Sequence, residues 1–177
     1  MSDKRGGSYR QLIVWLRFMA LGLLLTIVTR SLVTTYRVAG SSMRECLEDG
    51  DRILVCELPW VVHSVERDDI FIMTVEGEVV VKRVVACPGD TIAMEAGRIV
   101  LNGETIQESI PDALNRFDDF PEYHLHADEY FVLGDNRRVS VDSRKFGPVH
   151  ADQLIGKVLF RIHGHGIALA SALDRKP

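Results

Sequence analysis

The chain opens on an apolar stretch and then changes period. From Leu12 to Val28 it reads LIVWLRFMALGLLLTIV, interrupted by Arg17 alone, with an unbroken apolar part from Phe18 to Leu25. A spanning helix needs about 20 mainly apolar residues, and an arginine near one end can extend its head toward the interface. Lys4, Arg5 and Arg10 precede the run, and basic flanks stay on the cytoplasmic side. The pattern therefore predicts a short cytoplasmic N-terminus over residues 1–11, one transmembrane anchor over 12–33, and an extracytoplasmic domain over 34–177 on the outer side of the cell membrane. A cleaved secretory signal is the main competitor. It would need small residues at its exit, whereas the exit here is Thr29-Arg30-Ser31-Leu32-Val33. A buried core helix fits less well, because the run lacks amphipathic spacing.

Beyond residue 35 the pattern turns to short β-type runs, and no helical period lasts beyond a turn or two. Arg52 to Leu58, Ile70 to Val75, Val79 to Ala86, Thr91 to Met94, Arg98 to Leu101, Tyr130 to Leu133 and Ile155 to Ile162 are the expected strands. Between them lie Glu48-Asp49-Gly50-Asp51, Glu76-Gly77-Glu78, Pro88-Gly89-Asp90 and Asn102-Gly103, all of turn chemistry. The expected fold is mainly β and antiparallel, preceded by the one N-terminal helix, with a smaller inserted or cap region at about 95–127. Gln107 to Ala127 is polar and reads as irregular.

Composition narrows the function. With 177 residues the chain has room for one domain plus an anchor, and 46% hydrophobic with 26% charged residues excludes a largely disordered protein. A formal net charge of −4 leaves no basic footprint for phosphate backbones, so nucleic acid is not an expected partner. Cys46, Cys56 and Cys87 fit no CxxC pattern and read as packed thiols, with one internal disulfide at most. His163-Gly164-His165 is too isolated to make a metal site. No metal and no cofactor is expected.

Three segments carry chemistry. Gly40-Ser41-Ser42-Met43 places a hydroxyl on a tight turn between the anchor and a strand; taken alone, it is an ordinary loop. Val79-Val80-Val81-Lys82-Arg83-Val84-Val85 puts Lys82 and Arg83 on opposite faces of one strand, so one cation must meet apolar neighbours. Desolvation disfavours an ammonium and can make a neutral amine available near neutral pH. The plainer reading is an edge-strand lysine that discourages aggregation. Gly134-Asp135-Asn136-Arg137, followed by Ser140, Asp142, Ser143, Arg144, Phe146 and Gly147, suggests a loop whose side chains bond one another. Its plainer reading is a solvated turn with casual ion pairs.

Together these segments resemble the sequence boxes of the bacterial type I signal peptidases, or leader peptidases. Ser42-Met43 is similar to the nucleophile box, Lys82-Arg83-Val84-Val85-Ala86-Cys87-Pro88-Gly89-Asp90 to the lysine box, and Gly134 through Gly147 to the third box. The match covers most of residues 36–90 and 128–160. The resemblance implies a serine endopeptidase with a signal-peptidase-like β-sheet catalytic domain, in which Ser42 is the nucleophile and Lys82 the general base. It implies that Ser140 orients the lysine amine. It also implies that Asp142, Arg144 and Arg83 brace the site, while Gly134, Asp135 and Asn136 shape the loop beside it. The backbone N–H of Ser42 would serve the oxyanion, and Gly40 stands where some relatives add a serine hydroxyl. Expected partners are signal-peptide-bearing preproteins, the lipid bilayer and the secretion translocon.

One departure stands out. The family box usually continues Met-x-Pro-Thr, and here Met43 is followed by Arg44-Glu45-Cys46. Proline would fix the backbone after the nucleophile, and its absence permits a looser turn. The apolar run Leu58-Pro59-Trp60-Val61-Val62 is either a membrane-surface contact or a packed strand. The alternative function is a non-catalytic, membrane-anchored relative that binds exported chains without cutting them. A self-cleaving repressor also uses a Ser/Lys pair, but the apolar N-terminus and the lack of a basic helix argue against it.

Overall fold

The computed structural model describes residues 5–44, 46–58, 64–106, 119–163 and 166–170, with the side chains of the first helix described for 9–24. Two compact units result, Met1–Thr34 and Thr35–Pro177. The first holds helix α1, Arg5–Leu32. Every described side chain on it is exposed, among them Trp15, Phe18 and Met19. Among the described residues no helix is long and apolar enough to cross a membrane; the described stretch of side chains is itself shorter than the ~20 residues of a span. Val33, expected in the anchor, is the first residue of a strand, in keeping with the β-branched run Val33-Thr34-Thr35.

The strands, of which the first begins two residues before the second unit, are β1 Val33–Arg37, β2 Arg52–Cys56, β3 Ile70–Val75, β4 Glu78–Ala86, β5 Thr91–Glu95, β6 Arg98–Leu101, β7 Glu104–Thr105, β8 Phe120–His124, β9 Glu129–Leu133, β10 Val149–His150, β11 Leu154–His163 and β12 Gly166–Leu169. They form two sheets. The larger runs β1-β2-β11-β3-β4-β9-β10, with β12 also paired to β11, and the smaller runs β7-β6-β5-β8. Every strand pair with a resolved register is antiparallel. β9 is buried along its whole length, as expected of a strand covered on both faces.

Three hairpins close on pairs of left-handed residues: Glu76-Gly77, Ala96-Gly97 and Asn102-Gly103. Two positive φ values in a row give the primed turn whose twist matches that of the flanking strands. The pair Ala96-Gly97 gave no clear sequence signal, because alanine rarely adopts that conformation.

All seven expected strands are present within one or two residues of their expected ends. Five more were not expected. β8 lies inside the stretch read as irregular and carries Pro121, which a strand tolerates because β8 is the edge of its sheet. Phe120 stacks on Phe131 of β9, with ring centroids 5.3 Å apart, and so ties the smaller sheet to the larger. β7 and β10 are two residues each, too short for any period to register, and β12 is a four-residue strand paired with β11. β1 was obscured by the apolar run before it.

The turn between β4 and β5 is locked by Asp90. Its carboxylate accepts from Arg67 at 2.6 and 3.1 Å, from the Cys87 N–H at 2.8 Å and from Asn102 at 2.9 Å. These bonds hold the Asp90 carboxyl below the usual carboxylate range, although burial alone would raise it. Cys46, Cys56 and Cys87 are not joined in a disulfide. Burial pushes the Cys87 thiol up to about 11, so it stays protonated.

Candidate active site

Lys82 and Arg83 lie on β4, between β3 and β9 in the interior of the larger sheet. The edge-strand reading of Lys82 therefore fails. Sequence alternation placed one of the two cations among apolar neighbours, yet both are buried, Lys82 with 3% of its surface exposed. Arg83 meets Asp135 through a two-point fork, 2.8 Å on each arm, and donates to the Asp68 carbonyl at 2.9 Å. A buried pair of this kind adds little net stability, but removing one partner costs about 3–5 kcal/mol.

Lys82 faces Phe71 across the β3–β4 ladder, and its Nζ is 3.2 Å from the Ser140 hydroxyl. Burial lowers the pKa of this amine. Asp142 and Asp135 oppose the shift and Arg144 adds to it, but burial dominates. The side-chain hydrogen bond thus goes to a hydroxyl, which does not hold the proton on the amine as a carboxylate would.

Ser140 belongs to the loop that follows β9. Asp135, Asn136, Arg137, Ser140, Asp142 and Ser143 are all buried, so the reading as a solvated turn fails as well. Asp142 is the centre of the loop and is fully buried. It accepts the Gly134 N–H at 3.0 Å and the Arg144 guanidinium at 2.7 and 2.8 Å, and it caps the short helix α2, Ser143–Phe146. Arg144 also donates to the Arg137 carbonyl at 2.8 Å, and Arg137 Nε to the Gly134 carbonyl at 3.1 Å. Arg137 carried no role in the sequence reading. A buried arginine among polar neighbours has no local signature, because a partner such as the Gly134 carbonyl is a group that every residue carries.

The same loop holds the segment around Ser42. The Asn136 N–H donates to the Ser42 carbonyl at 2.9 Å, and the Asn136 side-chain amide donates to the Ser41 carbonyl at 3.0 Å. Met43 is buried in the core with Leu47, Ile53, Ile70 and Ile72, which fixes the chain just past the serine. Gly134 lies between the two serines. A Cβ built there would stand 2.2 Å from Ser140 Oγ and 2.6 Å from the Ser42 carbonyl oxygen, so only glycine lets them approach. Gly40 has φ +94°, a left-handed conformation in which a serine would be strained.

Ser42, Gly134, Asn136, Ser140 and Lys82 are therefore linked by contacts in one place, with Asp135, Asp142, Arg83 and Arg144 bonded around them. Glu45, Pro59, Trp60, Val61 and Val62 lie outside the described residues, as does His165. Sequence reasoning placed Asp51 in a turn, set His163 aside as a metal ligand and gave Arg161 no role, yet the three cluster beside the segment after Ser42. Asp51 is about 110 residues from the other two in the chain, and no local pattern joins it to them.

Comparison with known proteins gives a consistent picture. The family described as signal peptidase, peptidase S26, matches residues 11–163. A signal peptidase I of Bacillus amyloliquefaciens is 32% identical over 154 residues, covering 81% of this chain and 83% of its own. A signal peptidase IB of Staphylococcus aureus is 30% identical over 176 residues, covering 86% of this chain and 90% of its own. A crystal structure of a signal peptidase I from Enterococcus faecalis is 29% identical with a TM-score of 0.49, covering 53% of this chain and 96% of that one. The family match and the two sequence relatives carry the assignment: the chain belongs to the signal peptidase family, peptidase S26, as a serine endopeptidase of the bacterial type I kind that removes signal peptides.

Proposed function

We propose that Ser42 and Lys82 are the catalytic dyad of this peptidase and that α1 anchors it in the membrane whose outer side it serves. The observation that carries the dyad is the Lys82 amine, buried on an interior strand, with its pKa lowered by burial and a hydroxyl 3.2 Å away. An amine that is neutral near the working pH can accept a proton from serine; a solvated one rarely can.

Ser42 Oγ attacks the scissile carbonyl and its proton passes to Lys82 Nζ. The adduct collapses, Lys82 returns the proton to the leaving amine, and the signal peptide stays on Ser42 as an ester. Water, deprotonated by the same amine, then releases it. Ser140 orients the lysine, and the Ser42 N–H stabilises the oxyanion. Arg83, Asp135, Asp142 and Arg144 keep the loop in register, while Gly134 and Asn136 fit it against the serine. The substrate binds as an added strand, with small residues one and three positions before the cut, as the family resemblance implies. The translocon is a natural neighbour for an enzyme acting on emerging chains.

A pH–rate profile tests the dyad. The rate constant kcat/KM should rise with pH through one ionisation below the ordinary lysine value of 10.5, because only the unprotonated amine accepts the serine proton. A rate that stays level down to acidic pH would refute a lysine base.

The anchor reading is supported by the length of α1, 28 residues or about 42 Å at 1.5 Å per residue, and by the exposure of its large apolar side chains. Alkaline carbonate washing of membranes should leave the full-length protein in the pellet. Its appearance in the supernatant would reject anchoring.

A further inference from the structure

The segment after Ser42 is a loop, and its grip on the domain comes from β11. The N–H groups of Cys46 and Leu47 both donate back to the Met43 carbonyl, at 3.1 and 2.7 Å, so Met43 and Cys46 are tied into one turn. The Cys46 carbonyl in turn accepts from Arg161 Nη1 of β11 at 2.8 Å. The guanidinium lies 2.7 Å from the carboxylate of Asp51, at the far end of the same segment, and 3.7 Å from Glu48. The Nε contact with Asp51 is an ion pair without the alignment of a hydrogen bond, which leaves Nη1 as the arm that makes the well-formed bond. Asp51 is buried, accepts the Glu48 N–H at 2.8 Å, and bonds the ring of His163, also on β11. The base of the loop is closed by Val38 N–H on the Asp51 carbonyl, 2.8 Å, and Gly50 N–H on the Val38 carbonyl, 2.9 Å.

The serine is thus held from two sides along the chain. Asn136 fixes the carbonyls of Ser41 and Ser42, and Arg161 fixes the turn that begins at Met43. We propose that Arg161, with Asp51 as its counter-charge, is a positioning residue that sets where Ser42 stands relative to Lys82. The proposal rests on the reading of Ser42 as nucleophile. Arginine suits the role because its planar fork serves a carboxylate and a carbonyl together, which a single ammonium does not do in fixed geometry. A nucleophile displaced by about 1 Å loses rate by roughly 100-fold without losing substrate affinity.

The experiment compares three variants of the full chain on one preprotein, with the labelling rate of a serine-directed acylating probe as a second readout. Arg161→Lys keeps a cation beside Asp51 and should fold. Its kcat and its probe-labelling rate should both fall about tenfold while KM stays within about twofold. The neutral pair Asp51→Asn/Arg161→Gln removes both charges together, so no buried carboxylate is orphaned, and it should lose more of both rates than Arg161→Lys. Folded protein with unchanged kcat in either variant would overturn the proposal, and so would a loss confined to KM or to thermal stability. Ser42→Ala, run alongside, should be inactive and unlabelled. Activity in that variant would instead reject the nucleophile itself, a different failure from that of the clamp.

Discussion

Lys82→Met should abolish preprotein cleavage and leave the protein folded and at least as stable as before. The two side chains are similar in length, and the site is an interior strand position facing Phe71, where an apolar chain packs well. What is removed is a buried amine. Because its pKa is lowered in the folded state, the amine binds its proton less tightly there than in the unfolded chain. That penalty is present in full at any pH below the lowered value and fades only as pH rises toward 10.5. Near neutral pH the methionine variant is therefore relieved of it, and its Tm should match or exceed the parent's. Catalysis moves the other way, with a loss on the order of 10⁴-fold, as expected when one member of a unit that acts together is deleted. Single-turnover cleavage and a thermal melt on the same sample check both halves. A variant that retained even a tenth of the parent rate would end the case for Lys82 as the base.

The second large effect belongs to a residue with no side chain. Gly134→Ala would set a methyl group into contact with both serines of the site. Rotating the Ser140 hydroxyl away would cost its bond to Lys82 and would still leave the Ser140 Cβ only 2.6 Å from the added methyl. The Ser42 carbonyl is backbone, held by Asn136, and can move only if the nucleophile moves with it. The φ of Gly134 is not in the left-handed region, so the strain is steric and local. The expected loss is about 100-fold in kcat, together with about 1–3 kcal/mol of stability from overpacking. Full activity in Gly134→Ala would mean that the close approach of Ser140 and Ser42 has no part in the reaction.

What the sequence disclosed and what it withheld have physical causes. The run Val79 to Val85 announced a strand, because β-branched residues in succession fit little else, and a lysine within it was conspicuous. The choice between Lys82 and Arg83 as the cation facing apolar surroundings was a false one. Arg83 is buried too, and what makes that tolerable is Asp135, 52 positions along the chain. The loop from Gly134 to Gly147 was recognisable as dense in polar groups, but its burial was not, since a solvated turn and a buried network have the same composition. Arg137 shows this plainly: it bonds the Gly134 carbonyl, a group that every residue carries. Arg161 was passed over because a strand arginine ordinarily points to water.

The order of strands in the larger sheet differs from their order in the chain. β2 and β3 do not pair with each other; β11 lies between them. Until residue 163 has been synthesised, each of those strands keeps an unpaired edge, and a chain truncated before Leu154 would present two strand edges ready to join neighbouring molecules. Loop closure over such separations is slow, so assembly waits until the chain has been made through β11. A hydrolase is thereby kept from existing in half-made form, and its lag between synthesis and first turnover should lengthen with anything that delays the arrival of β11.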